Sequence, residues 1–417
     1  MTTATSTATT ARPRARAGRR TGRTVARAGV ALGCAALAVG VTLKGAAVHL
    51  ARSDPRAAEL LAPYDARAAV AAAQARAAKG AAVASPGMRR LVAQALARDV
   101  TLTSATEIRA LQAQAERDPA REARLFALSS EISRRSLPTR LWLIQRSVEK
   151  GDVAGALDDF DIALRTSTAA PDVLFPVLAR AASDPALAAP IARVLDRPQD
   201  WRLVFLHYAI TEAHAGPGVA AVLMRMRDRR AILKGQVDDA LIGELVSEQA
   251  FGLARQVRLA FGPPPDTGLV ADPRFAEPRQ SYPFGWNLVD GGIAGAHRAR
   301  LHGRPVLEYQ TSPGGGGAVA TQLLTLPAGD YRLTVTTAKP TRDSLSQPFW
   351  TVTCGGDAGR QIGLIDQPGT AGAAAALDFT VPPGCDGQWL MLTLRSSDDP
   401  DLTGSIASVE VTSRRAS

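Results

Sequence analysis

The sequence predicts a multidomain α plus β protein: one N-terminal transmembrane helix, a helical repeat domain and a C-terminal all-β sandwich. Three observations predict it. An uncharged apolar run, Ala28 to Leu43, comes after an arginine-rich start. From residue 86 to residue 261, apolar residues recur at helical spacing. After Gly262-Pro-Pro-Pro-Asp266 the apolar period falls to two, the repeat of a strand with one buried face.

The chain has 417 residues, 46% of them apolar, enough for several domains and a sizeable core. Ala and Arg are abundant and Lys is scarce, a bias that reads as a GC-rich bacterial genome. The net charge of +10 is concentrated at one end. Nine basic residues, Arg12, Arg14, Arg16, Arg19, Arg20, Arg23, Arg27, Lys44 and Arg52, precede the first acid, Asp54. The rest of the chain is nearly neutral. A nucleic-acid domain carries its cations on a folded face. Here seven of the nine sit on residues 1–27, a Thr/Ala/Arg tail without apolar periodicity that reads as disordered. No nucleic-acid partner is expected.

The tail suits the apolar segment behind it. Residues 28–50, with Lys44 able to snorkel, match the roughly 20 residues that cross a bilayer. Arginines ahead of such a segment hold the N-terminus in the cytoplasm. The segment reads as an uncleaved signal-anchor. It places the protein on a bacterial inner membrane as a single-pass chain, with later domains in the periplasm or otherwise outside the cytoplasm. A cleaved secretory signal, with small residues at Gly45, Ala46 and Ala47, and an ordinary soluble helix are the alternatives.

Residues 51–85 are Ala/Arg-rich and read as a helical stalk that ends at Pro86-Gly87. Residues 86–261 read as antiparallel helices of roughly 10 to 15 residues. Breaks fall at Pro119, Pro138, Gly151, Pro171, Pro185, Pro198, Gly216-Pro217 and Gly235. One stretch is sharpest. Val153, Ala156, Leu157, Phe160, Ala163 and Leu164 form a single stripe, while Asp158, Asp159 and Asp161 fall off it. Gly151 permits a tight turn and Asp152 is a good N-cap. Residues 262–271 hold a triple proline, a stiff spacer. In residues 272–413, Tyr331 to Thr336, Leu377 to Val381 and Leu390 to Leu394 alternate as strands of a two-sheet sandwich.

Gly151-Asp152, Ala156-Leu157, Phe160 and Ala163-Leu164 resemble a tetratricopeptide half-repeat, with Leu143 matching on the preceding helix. A step of about 34 residues, the family period, recovers Phe126 but not the small residues. Arg140 stands where that family has Trp, with Trp142 close by. The resemblance implies a degenerate tetratricopeptide-like solenoid that binds an unknown protein partner through a hairpin carrying Trp142, Gly151, Asp152 and Phe160. In the last domain, three phrases resemble jelly-roll carbohydrate-binding modules. They are Asp272-Pro-Arg-Phe275 as the opening strand, Leu326-Pro-Ala-Gly-Asp-Tyr-Arg-Leu333, and a closing strand with Ile406, Val409 and Val411. As a whole the chain resembles bacterial envelope proteins that join an anchor, such helices and a jelly-roll-type sandwich. The resemblance implies no activity.

Residues able to carry chemistry are few. His49, His207, His214, His297 and His302 show no metal-ligand spacing. His297 and His302 flank a basic loop with Arg298, Arg300 and Arg304, which reads as a solvated loop or as a contact for an acidic sugar. Gly314 to Gly317 reads as a flexible hairpin loop and not as a phosphate cradle. There is no nucleophile elbow, Walker loop or dinucleotide fingerprint. The chain therefore reads as a non-enzyme with no cofactor, catalytic residue or metal. Ser396-Ser-Asp-Asp-Pro-Asp401 reads as a polar turn rather than a calcium loop.

Cys354 and Cys385 lie in one small domain outside the cytoplasm and read as a disulfide contributing roughly 3 kcal/mol. Two separate buried thiols are the other outcome. Tyr282, Trp286 and Trp389 are candidates for gripping sugar rings. If Leu390, Leu392 and Leu394 face inward, Trp389 and Met391 face outward. Two functions are compatible with this chain: a glycan-binding scaffold in polysaccharide synthesis or export, and a purely structural envelope assembly factor.

The anchor reading makes one direct prediction. A reporter active only outside the cytoplasm, fused after Ser417, gives signal, and one active only inside stays silent.

Overall fold

The computed structural model describes residues 38–50, 53–227, 237–261, 268–276, 282–342, 346–356, 359–397 and 402–414. The tail, most of the anchor and most of the triple-proline spacer lie outside these residues, as do Gly235 and Asp398 to Asp401. Among the described residues, no helix is long and apolar enough to cross a membrane. The chain divides into two compact units, Met1–Asp152 and Val153–Ser417.

The regular elements among the described residues of the first unit are all helices. Helix α1 (residues 38–50) precedes α2 (Pro55–Leu61), α3 (Ala66–Ala78), α4 (Pro86–Arg98), α5 (Thr103–Ala115), α6 (Pro119–Ile132) and α7 (Leu137–Glu149). The turn signals act as expected. Asp54, Asp65, Asp118 and Ser136 accept hydrogen bonds from the first-turn amides, and proline opens α2, α4, α6 and α7. Residues 51–85 are not a free-standing stalk. Ala66, Ala69, Val70 and Ala73 of α3 bury against Met88, Leu91, Val92 and Ala95 of α4. Alanine faces let two helices approach closely, so a segment that looks featureless in sequence has a core. Lys44, read as a snorkelling residue, lies 3.6 Å from Asp65, and Ala47 is buried with Ala58, Ala62 and Ala68.

The second unit begins with α8 (Val153–Thr166), α9 (Ala170–Ala182), α10 (Pro185–Leu195), α11 (Trp201–Thr211) and α12 (Gly216–Leu223). It continues with α13 (Val237–Ser247) and α14 (Phe251–Phe261). Pro176 and Pro190 lie inside α9 and α10 without ending them. On α8 the stripe is buried at Ala156, Leu157, Phe160, Ala163 and Leu164, whereas Val153 is exposed. Asp161, expected off the stripe, is 4% exposed. Its carboxylate accepts from Trp201 Nε1 at 3.0 Å and pairs with Arg165 at 2.9 Å. Burial of a carboxylate requires such partners.

The same unit ends in two five-stranded antiparallel sheets. The strands are β1 (Asn287–Leu288), β2 (Ala294–Leu301), β3 (Arg304–Thr311), β4 (Gly317–Leu324), β5 (Gly329–Lys339), β6 (Phe349–Cys354), β7 (Gln361–Asp366), β8 (Ala374–Val381), β9 (Gln388–Leu394) and β10 (Leu402–Ser413). One sheet runs β1-β4-β9-β6-β7 and the other β2-β3-β10-β5-β8. Their facing sides bury Tyr309, Leu333, Val335, Trp350, Val352, Leu390, Leu392, Ile406 and Val409. Ile406 and Val409 are three apart, yet both face inward, because β10 shifts register against β5 between Ser405 and Ser408. Gly314 to Gly317 is not a hairpin: it carries the chain from β3 in one sheet to β4 in the other. Asp272 to Phe275 is a turn and not a strand, with Asp272 (φ 46°) and Phe275 (φ 57°) both left-handed.

Cys354 and Cys385 form a disulfide with Cα atoms 5.4 Å apart. It sits where helix meets sandwich. A Cβ on Gly355 would lie 2.5 Å from Phe251 Cζ, and one on Gly387 would lie 2.4 Å from its Cγ. The Gly355 amide donates to the Gly387 carbonyl at 2.9 Å. The Phe251 ring of α14 thus lies on a floor that only glycine can provide. Farther along α14, the Arg258 guanidinium lies 5.0 Å from the Phe284 ring centroid.

This contact predicts strong coupling. Gly387→Ala alone lowers unfolding stability by about 1–3 kcal/mol through overpacking. In a Phe251→Ala background the same change costs far less. Denaturant melts of the four variants measure the difference, and additivity would mean the ring does not press on Gly387.

Candidate functional site

Alternation along β9 decides where its aromatic points. Gln388, Leu390, Leu392 and Leu394 are buried, while Trp389, Met391 and Thr393 are half-buried on the opposite face. The outward placement of Trp389 agrees with its register: Trp389 lies opposite Leu323 of β4 and Thr353 of β6.

Tyr282 stacks on Trp389, with ring centroids 6.1 Å apart and planes inclined by 21°. Tyr282 is 52% exposed. The segment that carries it is tied to the sheet, because the Leu323 amide donates to the Pro283 carbonyl at 2.7 Å. Leu323 itself faces outward beside Trp389 yet is only 2% exposed. Two aromatic rings from separate parts of the chain therefore form one outward platform. Aromatic faces of this kind grip apolar patches of a ligand, sugar rings included.

Trp286 does not join them. It is 7% exposed, lies in the core against Phe275 and Trp350, and donates from Nε1 to the Asp272 carbonyl at 3.1 Å. A buried indole whose N–H is satisfied has no face left for a sugar, so the sequence-based assignment of Trp286 is corrected. Trp350 is fully buried, with Nε1 donating to Gln367 Oε1 at 2.8 Å. Tyr309 is fully buried too, and burial raises its phenol far above the ordinary value, so it stays neutral. Tyr331 shifts upward by burial as well, and its hydroxyl donates to the Pro327 carbonyl.

Of the expected protein-binding hairpin, Trp142, Gly151 and Asp152 belong to the first unit and Phe160 to the second. Trp142 stacks on Phe126 at 4.8 Å, donates from Nε1 to Glu122 Oε1 at 2.8 Å and lies under the Arg146 guanidinium. It pairs with the very phenylalanine that the repeat period picks out. Arg140, at the position of the family Trp, is 4% exposed and bonds to Ser130 and the Arg134 carbonyl. Gly151 (φ 73°) makes the expected turn, with the Asp152 amide donating to the Ser147 carbonyl. Phe160 is buried in the second unit. The division of the chain between Asp152 and Val153 falls inside this motif.

The basic loop is likewise corrected. His297, Arg298 and Arg300 lie on β2, Arg304 opens β3, and only His302-Gly303 makes the turn. Both turn residues have positive φ, 51° and 79°, as a two-residue hairpin requires. Among the described residues no group of three or more His, Cys, Asp or Glu side chains is placed to hold a metal ion.

No protein-family model matches the chain, and no curated protein does. Similar solved structures lie at the sandwich. TmCBM61, in complex with β-1,4-galactotriose, has 13% identity and a TM-score of 0.26 over 36% of this chain and all of its own length. A CBM4 structure has 13% identity and a TM-score of 0.26, covering 36% of this chain and 99% of its own. The enzymatically active domain of bacteriophage CBA120 tailspike protein 4 has 13% identity and a TM-score of 0.27; the match covers 35% of this chain and 21% of the tailspike domain. These are likenesses of the sandwich fold.

Two tryptophans in neighbouring strands should behave oppositely. Trp350→Ala lowers unfolding stability by about 3–5 kcal/mol, as core truncations do. Trp389→Ala, half-buried on the outer face, costs less than half as much. Thermal or denaturant melts of the two variants check the ordering.

Proposed function

We propose that this is a non-enzymatic, membrane-anchored protein of the bacterial envelope whose sandwich binds a glycan and whose helices act as its scaffold. The carrying observation is the outward Tyr282–Trp389 stack. Such a pair presents a flat apolar face beside Thr353, the cross-strand neighbour of Trp389, which suits a sugar ring with one apolar face and polar edges. The likeness to carbohydrate-binding modules, one of them solved with β-1,4-galactotriose, supports the choice of a glycan as the first ligand to test. The anchor rests on the sequence of residues 28–50. The role of the glycan, in polysaccharide synthesis or export, rests on that placement.

A second reading has its own observation. Phe251 seated on Gly355 and Gly387 shows that the sandwich already docks a helix of its own chain. On this reading the protein is a structural assembly factor, and the sandwich binds no glycan.

Affinity electrophoresis of the full chain in detergent, through gels containing neutral polysaccharides such as β-1,4-galactan and xylan, separates the two. Retention by one of them, weakened roughly tenfold or more by Trp389→Ala or Tyr282→Ala with unchanged melting, supports glycan binding. Equal mobility in every gel, or retention indifferent to both variants, leaves the assembly reading.

A further inference from the structure

On the outer face of the other sheet lies a cleft of about 900 Å³, within the size range of small-ligand sites. Its floor is apolar, with Val306 from β3, and its walls carry the hydroxyls of Thr336 on β5 and Ser408 on β10. Its lining carries the guanidiniums of Arg274 and Arg304 and the His302 ring, with no carboxylate among the described lining residues. The described lining residues include no Trp, Tyr or Phe either. This is the inverse of the Tyr282–Trp389 platform.

The arginines around the cleft divide into two groups. Arg298 is spent on Asp272, with Nε and Nη2 donating to one carboxylate oxygen at 3.2 and 3.1 Å. Arg300 is spent on the Gly303 carbonyl at 3.0 Å, bracing the hairpin. Arg274 and Arg304, both exposed, have no hydrogen-bond or ion-pair partner among the described residues, although the sheet beside them pairs Arg332 and Arg414 with Asp378.

Arg274 is also held in place. Its turn has left-handed residues on both sides, a conformation that persists only where the surroundings enforce it. Here they do. Phe275 is in the core, Trp286 donates to the Asp272 carbonyl, Ala276 donates to the Asp272 carboxylate, and the Val409 amide donates to the Pro273 carbonyl. That last bond occupies β10 beyond Ile406, where its pairing with β3 ends. The turn therefore fills the gap left by the diverging β2–β3 hairpin and points a guanidinium into it. His302 and Arg304 face it from the hairpin.

We infer that this cleft is a second binding site, one that takes a carboxylate-bearing saccharide, a uronate. Two unspent guanidiniums match carboxylates in geometry as well as charge. The hydroxyls of Thr336 and Ser408 suit sugar hydroxyls, and the absence of a stacking ring disfavours a neutral sugar. The saccharide part of the assignment rests on the proposed glycan-binding role.

The test uses the full chain in detergent and three probes: an oligogalacturonate, a neutral galacto-oligosaccharide of equal length and inorganic phosphate. Calorimetric titration is expected to show the uronate binding, weaker as salt is raised. Arg274→Gln and Arg304→Gln together weaken it at least roughly tenfold, while Arg332→Gln leaves it unchanged. Unchanged melting of the exposed-site variants excludes misfolding. Uronate binding that is absent, no tighter than the neutral oligomer, no tighter than phosphate at equal charge, or indifferent to the arginine pair overturns the inference. If neutral retention on the Trp389 platform survives that result, the proposed function stands without this cleft. If neutral retention fails while the uronate binds through Arg274 and Arg304, the cleft stands without the platform.

Discussion

The junction of helix α14 with the β1-β4-β9-β6-β7 sheet depends on one ring, that of Phe251. Gly355 is the residue after Cys354, and Gly387 lies two residues past Cys385, its disulfide partner. Neither could carry a side chain without displacing the ring. The disulfide holds the β8–β9 connection against the end of β6, and the ring settles where those two backbones meet. A large aromatic on a bare backbone surface buries much apolar area while fixing the helix in one place. Helix α14 is thereby attached to the sandwich at Phe251 and again at Arg258, by contacts that sequence spacing does not reveal.

The sequence was legible wherever a periodic pattern met a buried face. The leucines of β9 point inward, so Trp389 points outward, and the period-two runs at Tyr331 and Leu377 became β5 and β8. Helix starts were legible because Pro, Asp and Ser act locally through backbone geometry and capping. The cysteine pair was legible because few partners were possible. What failed needed partners distant in sequence. Asp161 looked like a surface residue until Trp201, forty residues on, supplied its donor. Trp286 looked like a sugar platform because nothing local says that Phe275 and Trp350 enclose it. Asp272 to Phe275 looked like a strand because positive φ values are invisible in residues other than glycine. The Ala-rich residues 51–85 looked like a stalk because small side chains give a weak apolar pattern even where they pack well. Of the aromatic candidates, β9 alternation carried Trp389, while its partner Tyr282 came from a segment without periodicity.

The two outer faces of the sandwich are built on different physics. One carries stacked rings and is partly closed by the chain itself. The other carries unspent cations over an apolar floor and is open. A single turn sets the second face: the Asp272 carboxylate neutralises Arg298, its carbonyl accepts from the core residue Trp286, and its backbone aims Arg274. Asp272 is therefore a positioning residue and not a ligand contact. Loss of its carboxylate would free Arg298 and the Ala276 amide together, while the main-chain bond from Trp286 would remain.

The placement of Phe251 also limits what the aromatic platform can hold. Gly387 and Trp389 are two residues apart on the run that enters β9, so they point to the same face about 7 Å apart. A sugar ring is nearly that wide. A ligand lying on Trp389 along the strand therefore meets the Phe251 ring on the Gly387 side within one sugar unit. Across the sheet, toward β4, it meets the covered Leu323 and the segment bearing Tyr282. The open directions are toward Met391 and Thr393 along the strand, and over Thr353 on β6. A platform closed on two sides accommodates the end of a saccharide or a short branch more readily than the middle of a long chain. On the proposed glycan-binding reading, helix α14 would then set which part of a glycan the sandwich meets.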